Sequence, residues 1–210
     1  MCIRDSYWGD KARLDGLKFT YISDPTTAEM AFRSGSGLVL EGASPQTAFD
    51  LQEEGYEVIT RRGPLMNLVP DSANPDSPFA DKRVREAVEY AINRPAIAKT
   101  LGYGFWEAVK QPNAPEQFGH IPDLTGRPYD PEKAEKLLAE AGYADGLSTR
   151  IIAQPAFSKD ALVAIQSDLA AAGIQAEIDV ISQAKWAEVR ISGWENALFY
   201  VTHGATDYNY

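Results

Sequence analysis

The sequence is poor in the residues on which several kinds of site depend. It contains 1 cysteine, Cys2, and 2 histidines, His120 and His203, among 210 residues. A single cysteine excludes an internal disulfide and a thiolate metal cluster. Two histidines are too few for most zinc sites unless carboxylates complete the ligand set. We therefore expect neither a metal nor a cofactor.

Positive charge is also scarce, because 20 lysines and arginines face 30 acidic residues, for a formal net charge of -10. Nucleic-acid binding requires clustered lysines and arginines, which this sequence does not concentrate anywhere. No apolar run approaches the roughly 18 residues that span a bilayer, and no charged-then-apolar leader opens the chain. These absences argue against a nucleic-acid partner and a transmembrane helix.

The motifs of common catalytic sites are missing as well. Ser34-Gly35-Ser36-Gly37 is not a nucleophile elbow, because that turn needs a glycine two residues before and two after the serine. The chain has no phosphate-binding glycine loop with its lysine and no dinucleotide-binding fingerprint. We predict that the protein is not an enzyme, and keep an α/β hydrolase as the alternative of another class.

Strand-like and helix-like segments alternate along the chain, which is typical of an α/β protein. The predicted strands are residues 17–23, 38–40, 56–60, 65–69, 148–153, 175–181 and 197–201. The predicted helices are residues 25–32, 45–54, 84–92, a short one after Pro95, 130–141, 159–172 and 184–190. Two helix starts are marked by a capping residue followed by proline, at Ser44-Pro45 and Asp130-Pro131.

Prolines divide the chain at two places. Four prolines between residues 61 and 79 interrupt any long element and predict a boundary between two lobes. Four more prolines lie within residues 102–129, a stretch with little periodicity that we predict to be a long surface loop. The first six residues, Met-Cys-Ile-Arg-Asp-Ser, resemble a translated sequencing adapter. We leave residues 1–6 out of the fold argument as a non-native segment.

Three motifs carry a resemblance to a known family. Residues 78–94, PFADKRVREAVEYAINR, resemble the pattern F-x-D-x-x-V-R-x-A-x-x-x-A-I-D/N-R of dipeptide- and oligopeptide-type solute-binding proteins. Residues 129–143, YDPEKAEKLLAEAGY, resemble the second signature of that family, and residues 169–174 match its L-x-x-x-G-I segment. The order and spacing of the motifs agree. On this basis the chain is identified as a member of family 5 of the extracytoplasmic solute-binding proteins of ABC importers.

The resemblance implies an α/β, two-lobed periplasmic-binding-protein-like fold of type II, present only in part. Family members are much longer than this chain. Residues 7–62 would form the end of lobe one, and residues 63–210 most of lobe two, with the leader and the closing segment outside this piece. The protein would act in the periplasm or at the outer face of a bacterial cell membrane.

The resemblance also implies a ligand site near the end of the chain. Asp207 would hold the ammonium group of a peptide, and the backbone of His203, Gly204 and Ala205 would pair with the peptide main chain. Trp186, which resembles a pocket tryptophan of the family, would wall a side-chain pocket. The plainer alternatives are a turn residue for Asp207 and a core aromatic residue for Trp186.

The expected partners follow from the family. They are a short peptide or similar solute and the membrane subunits of an ABC permease, with the binding protein itself a monomer. The alternative within the family is a non-peptide solute such as an oligosaccharide, an opine or a metal chelate.

Overall fold

The elements of the fold come from a computed structural model that describes residues 13–61, 63–111, 113 and 119–203. The helices are α1 (Pro25–Arg33), α2 (Pro45–Glu53), α3 (Lys82–Ala91), α4 (Arg94–Gly102), α5 (Pro131–Glu140), α6 (Lys159–Ala171) and α7 (Gln183–Ser192). The strands are β1 (Leu65–Pro70), β2 (Leu147–Ala153), β3 (Ile174–Val180) and β4 (Ala197–His203). A short 3-10 helix, Pro78–Ala80, precedes α3.

The predicted helix starts are confirmed by their caps. The Ser44 hydroxyl accepts a hydrogen bond from the Thr47 amide at 3.1 Å, and the Asp130 carboxylate accepts one from the Lys133 amide at 3.0 Å. Proline occupies the first helical turn in both cases. Proline has no amide hydrogen and its φ already suits a helix, so it costs nothing at this position.

The sheet has the strand order β1-β4-β2-β3. β2 runs parallel to β3 and to β4, with Ile151 opposite Ile178 on one side and Leu198 on the other. β1 is antiparallel to β4, so Leu65 at its start lies beside His203 at the end of β4. Helices α6 and α7 make the crossovers between the parallel strands.

The core lies on the two faces of this sheet, because side chains alternate along a strand. Leu198 and Tyr200 point to one face, where they join buried residues of α3, α5 and α6. Phe199 points to the other face, where Ile152 and Trp186 complete a second cluster under α7. The apolar side chains that recur along α3 and α6 are buried, as is Ile92 just after α3; they are Val84, Ala87, Val88, Ala91, Ile92, Leu162, Ile165 and Leu169.

Three predicted strands are wrong. Residues 17–23, 38–40 and 56–60 form no strand, and no partner strand lies beside them in the described part of the chain. Their apolar side chains are left in solvent: Tyr21 is 92% exposed, Leu38 97% and Ile59 87%. A β-propensity becomes a strand only when a neighbour supplies hydrogen bonds and a face to pack against.

Apart from Gly102, which ends α4, residues 102–129 contain no helix or strand where the structure describes them, as predicted. The end of this loop is tied to α3 and α4. Arg127 donates to the Glu86 carboxylate at 2.8 Å, Arg94 donates to the Arg127 carbonyl at 2.8 Å, and the Asp130 amide donates to the Tyr90 carbonyl at 2.8 Å. The end of the loop is therefore held in place by these three hydrogen bonds.

Candidate functional site

The candidate site lies at the carboxyl edge of the sheet. The parallel strands β2, β3 and β4 all end there, at Ala153, Val180 and His203. Ligands of open α/β sheets bind in the crevice outside the carboxyl ends of such strands. The start of β1 reaches the same edge, because Leu65 pairs with His203.

Two helices begin at this edge. Ser158 caps α6 by accepting from the Ala161 amide at 3.3 Å, and Ser182 caps α7 by accepting from the Lys185 amide at 3.3 Å. The first amides of a helix carry a partial positive charge. Hydrogen-bond acceptors are therefore favoured beside these two turns.

A cluster of three aromatic rings lies beside this edge of the sheet. Phe157, in the turn between β2 and α6, packs edge-on against Trp186 and against Tyr200, with ring centroids 6.0 Å and 5.2 Å apart. Phe157 touches both core clusters, since it packs against residues of each face of the sheet. It is partly exposed, whereas Trp186 and Tyr200 are 7% and 5% exposed. Phe157 is thus the most accessible ring of this cluster.

Trp186 is held firmly in place. Its ring stacks on Phe199 with centroids 5.0 Å apart, and its indole N–H donates to the Tyr200 carbonyl at 3.3 Å. These contacts give Trp186 the packing role that was the plainer alternative for it. Its role as a pocket wall stays a prediction.

Burial also affects Tyr200. Removal from water disfavours the phenolate and raises the pKa of Tyr200 to about 12. The group therefore stays a neutral phenol throughout the physiological range. It is suited to packing and hydrogen bonding and not to proton transfer near neutral pH.

The other predicted ligand residues lie at or beyond the end of the described chain. His203 is the last residue of β4, where its backbone position is set by the pairing with β1. Gly204, Ala205 and Asp207 lie outside the described residues. The ammonium anchor at Asp207 therefore stays a prediction, and the geometry bears only on the strand that leads to it.

Phe157 is not among the ligand residues predicted from the sequence. Its signal was an aromatic residue between the end of a predicted strand, at residue 153, and the start of a predicted helix, at residue 159. Such a position lies at the carboxyl edge of a parallel sheet. Only the three-dimensional structure reveals that it packs on Trp186 and Tyr200.

No group of three or more histidine, cysteine or acidic side chains that would hold a metal ion occurs among the described residues. In the same part of the chain, no helix is long and apolar enough to cross a membrane. The Nδ1 atom of the His120 ring lies 3.0 Å from the Asn113 carbonyl oxygen.

The first signature motif, residues 78–94, builds the scaffold behind the site. Asp81 caps α3 and also binds the Arg83 guanidinium, which keeps the pKa of Asp81 below its usual value of 3.8. Arg83 reaches the Glu140 carbonyl at the end of α5, and Arg85 donates to the Phe79 carbonyl at 2.7 Å. These contacts join α3 to α5 and to the 3-10 helix Pro78–Ala80, so the motif supports the part of the chain that carries the sheet.

Similarity to known proteins covers almost the whole chain. The dipeptide-binding protein of Escherichia coli K12 is 30% identical over 181 residues, which is 83% of this chain and 34% of that protein. Heme-binding protein A of Haemophilus influenzae is 30% identical over 153 residues, covering 72% of this chain and 28% of that protein. The chain thus spans about a third of the length of these relatives.

A solved structure has the same fold. It is the periplasmic binding protein DppA of Helicobacter pylori in complex with the peptide STSA, which superposes with a TM-score of 0.83 at 26% sequence identity. The superposition covers 96% of this chain and 39% of the DppA chain. The expected fold class is therefore confirmed: the chain forms part of a two-lobed periplasmic-binding-protein fold.

The family itself is given by a sequence model that matches residues 4–209 and is described as the middle part of the bacterial extracellular solute-binding proteins, family 5. That match includes all three motifs noted in the sequence. The chain belongs to family 5 of the bacterial extracellular solute-binding proteins.

Proposed function

We propose that this chain is part of the substrate-binding component of an ABC importer, which captures peptides in a cleft between two lobes and delivers them to a membrane permease. The match of residues 4–209 to family 5 is the observation that carries this proposal. The relative named as a dipeptide-binding protein and the solved homologue with a bound peptide favour a peptide as the solute. The protein would work outside the cytoplasm, as a monomer.

Residues 7–62 would belong to lobe one and residues 63–210 to lobe two, with residues 1–6 not native. Two observations support this division. The sheet begins at Leu65, and the apolar segments at residues 17–21 and 38–40 are exposed. In a longer protein, as the relatives are, other strands would cover these segments and pair with them.

Peptide binding would use the end of β4 and the residues that follow it. The backbone of His203, Gly204 and Ala205 would pair with the peptide main chain, so that affinity depends little on peptide sequence. The Asp207 carboxylate would bind the peptide ammonium group, because an ion removed from water needs a charged hydrogen-bond partner. Trp186 would wall one side-chain pocket.

A binding protein of an importer needs no covalent chemistry of its own. A solute that contacts both lobes favours the closed arrangement over the open one, and the closed form would dock on the permease. The relatives are named for what they bind, which supports a binding protein and not an enzyme.

A non-peptide solute is the second candidate. One relative is named for heme, a metal chelate, and it resembles this chain as closely as the dipeptide-binding relative does. Asp207 would then hold a different polar group, or none. The aromatic cluster of Phe157, Trp186 and Tyr200 suits either solute.

We propose that residues 7–210 form part of a longer chain, which we call the full-length protein. A thermal-shift screen of the full-length protein tests the proposed function. Short peptides, oligosaccharides and heme are compared on the parent protein and on Asp207→Asn. A solute at one hundred times its dissociation constant stabilises the native state by about 2.7 kcal/mol. We expect stabilisation by peptides that is lost in Asp207→Asn.

Asp123→Asn is the matched control, because it removes the same charge from an exposed position of the long loop. It should bind peptides as the parent does. If only heme or sugars stabilise the protein, the importer role stands and the proposal that the solute is a peptide is refuted. The absence of stabilisation by any solute, or turnover of one, would refute the binding role.

A further inference from the structure

A contact between two aromatic rings joins the first part of the chain to the second. The rings of Phe49, on α2, and Tyr103, at the end of α4, lie with centroids 5.7 Å apart at an angle of 44°. Each residue is partly open to solvent, Phe49 at 40% and Tyr103 at 39%. Neither ring therefore belongs to the buried core of its own part of the chain.

Both partners stand on firmly held elements. α2 is fastened to α1, since the Thr47 hydroxyl donates to Glu29 at 3.1 Å and Arg33 binds both Glu29 and Glu54. α4 is fastened to the sheet-bearing part, because the amide of Asn93, its capping residue, donates to the Asp168 carboxylate of α6 at 2.8 Å. A contact between the two rings therefore couples two bodies and not two loose loops.

The backbone at Tyr103 is unusual. Tyr103 has φ +47° in the left-handed region, where side chains other than glycine crowd the backbone. Glycine is the residue that usually ends a helix in this conformation. Here the glycines stand on either side, at Gly102 and Gly104, and tyrosine occupies the left-handed position itself.

Gly102 has its own reason to be glycine, because a Cβ there would lie 2.5 Å from the Cβ of Trp106. No comparable requirement explains Tyr103. A bulky side chain at a position that glycine fills without strain points to a use for the side chain. The use that the structure offers is the ring contact with Phe49 across the two parts of the chain.

We propose that Phe49 and Tyr103 form a latch between the lobes that favours the closed, solute-binding arrangement. This inference rests on the proposed function, which places α2 in lobe one and α4 in lobe two. The two rings are positioning residues and not ligand contacts. They would set how much of the free protein is already closed, and apparent affinity scales with that fraction.

Replacement of Tyr103 by glycine distinguishes two roles for Tyr103, as half of a latch or only as the residue that ends α4. If Tyr103 only ends α4, Tyr103→Gly relieves a strained backbone and leaves solute affinity unchanged. If it is half of a latch, the same variant loses the ring pair and weakens binding by roughly threefold, as expected for a half-exposed aromatic contact. The melting temperature should not fall by more than about 1 °C in either case.

The experiment measures the dissociation constant of trialanine by calorimetry on the full-length protein. Tyr103→Phe should bind as the parent does, since it keeps the ring. Phe49→Ala should weaken binding as Tyr103→Gly does, and the double variant should be no weaker than either single variant. Unchanged or tighter binding in Tyr103→Gly overturns the latch.

Asn196→Gly is the control for the backbone change. Asn196 is also left-handed, with φ +42°, and it lies at the start of β4, away from α2. Replacing it relieves the same kind of strain without removing an aromatic contact. It should leave affinity unchanged, and an equal loss of affinity in Asn196→Gly would overturn the latch.

A distance measurement keeps the latch testable if the parent does not bind trialanine, an outcome that would count against the proposed peptide function. Spin labels on cysteines introduced at Ser36 and Lys136, both exposed, report the separation of the two lobes, and residues 7–210 contribute no other cysteine. The distribution of distances between the two labels should broaden in Tyr103→Gly and stay as in the parent in Tyr103→Phe. Identical distributions in all three proteins would overturn the latch.

Discussion

Residues 13–61 and residues 63–203 show what the same alternation of strands and helices produces with and without partners. In the second region the parallel strands find each other, and both faces of the sheet are covered. In the first region two capped helices form, but the strand-like segments stay unpaired. Leu51 is the only buried side chain among residues 13–61. Helices form from local signals, whereas strands require a neighbour.

The largest difference in stability should come from truncating one phenylalanine in each region to alanine. Phe199 is fully buried, and Phe19 is 82% exposed. Phe199→Ala should lower the free energy of unfolding by about 3–5 kcal/mol, and Phe19→Ala by less than about 0.5 kcal/mol, in urea titrations of residues 7–210.

The same pair sharpens the comparison in the full-length protein. If lobe one is completed by further strands, Phe19→Ala should become clearly destabilising there. An effect of Phe19→Ala that stays negligible in the full-length protein would contradict the assignment of this segment to a completed sheet.

A second effect tests the polar joint that holds the sheet of the second region together. The Asp71 carboxylate is buried and accepts from the Asn196 amide at 3.0 Å, where β1 ends and β4 begins. Asp71→Ala leaves that amide without its charged partner and should cost about 2 kcal/mol. Asp76→Ala, at an exposed position of the same loop, should cost less than about 0.5 kcal/mol in the same urea titrations. Equal costs would contradict the joint.

The sequence predicted the second region much better than the first. The cap at Asp130 is a local feature that the sequence shows directly, and so is the cap at Ser44 in the first region. The strands at residues 17–23 and 38–40 were predicted from propensity, and propensity does not say whether a partner is present. The chemistry of the site was predicted only through family resemblance, since Asp207 has no local pattern that marks a ligand residue.

A third prediction concerns binding, and compares two phenylalanines that each pack on another ring. Phe157 packs on Trp186 and Tyr200 at the candidate site, and Phe32 packs on Tyr56 in the first region with centroids 5.2 Å apart. Phe157→Ala should weaken peptide binding by the full-length protein about fivefold, because the apolar wall is lost. Phe32→Ala should leave the dissociation constant unchanged. Calorimetry that finds equal effects would place Phe157 outside the site.

The smallest effect is a pH dependence. Hydrogen bonds from Arg83 lower the pKa of Asp81 from its usual 3.8. A lowered pKa means that the ion pair stabilises the fold above the unfolded-state value and that this contribution disappears as pH falls through the folded-state value. Asp81→Asn keeps the helix cap and loses the charge, so its melting temperature should lie about 2 °C below the parent at pH 7.

That difference should vanish in melts at a pH below the folded-state pKa of Asp81. Glu29→Gln in the first region should behave in the same direction, because Arg33 and Thr47 lower the pKa of Glu29. A difference between Asp81→Asn and the parent that is independent of pH would show that the charge is not its cause.

Amide hydrogen exchange of the full-length protein, with and without a bound peptide, tests both the completion of lobe one and the place where the peptide binds. Residues 17–23 and 38–40 should be protected in the full-length protein, as strands of a completed lobe one. Peptide should add protection at the end of β4 and the residues after it, around Asp207. Segments that exchange freely in the full-length protein, or protection by peptide confined to other surfaces, would contradict the two-lobed peptide-binding account.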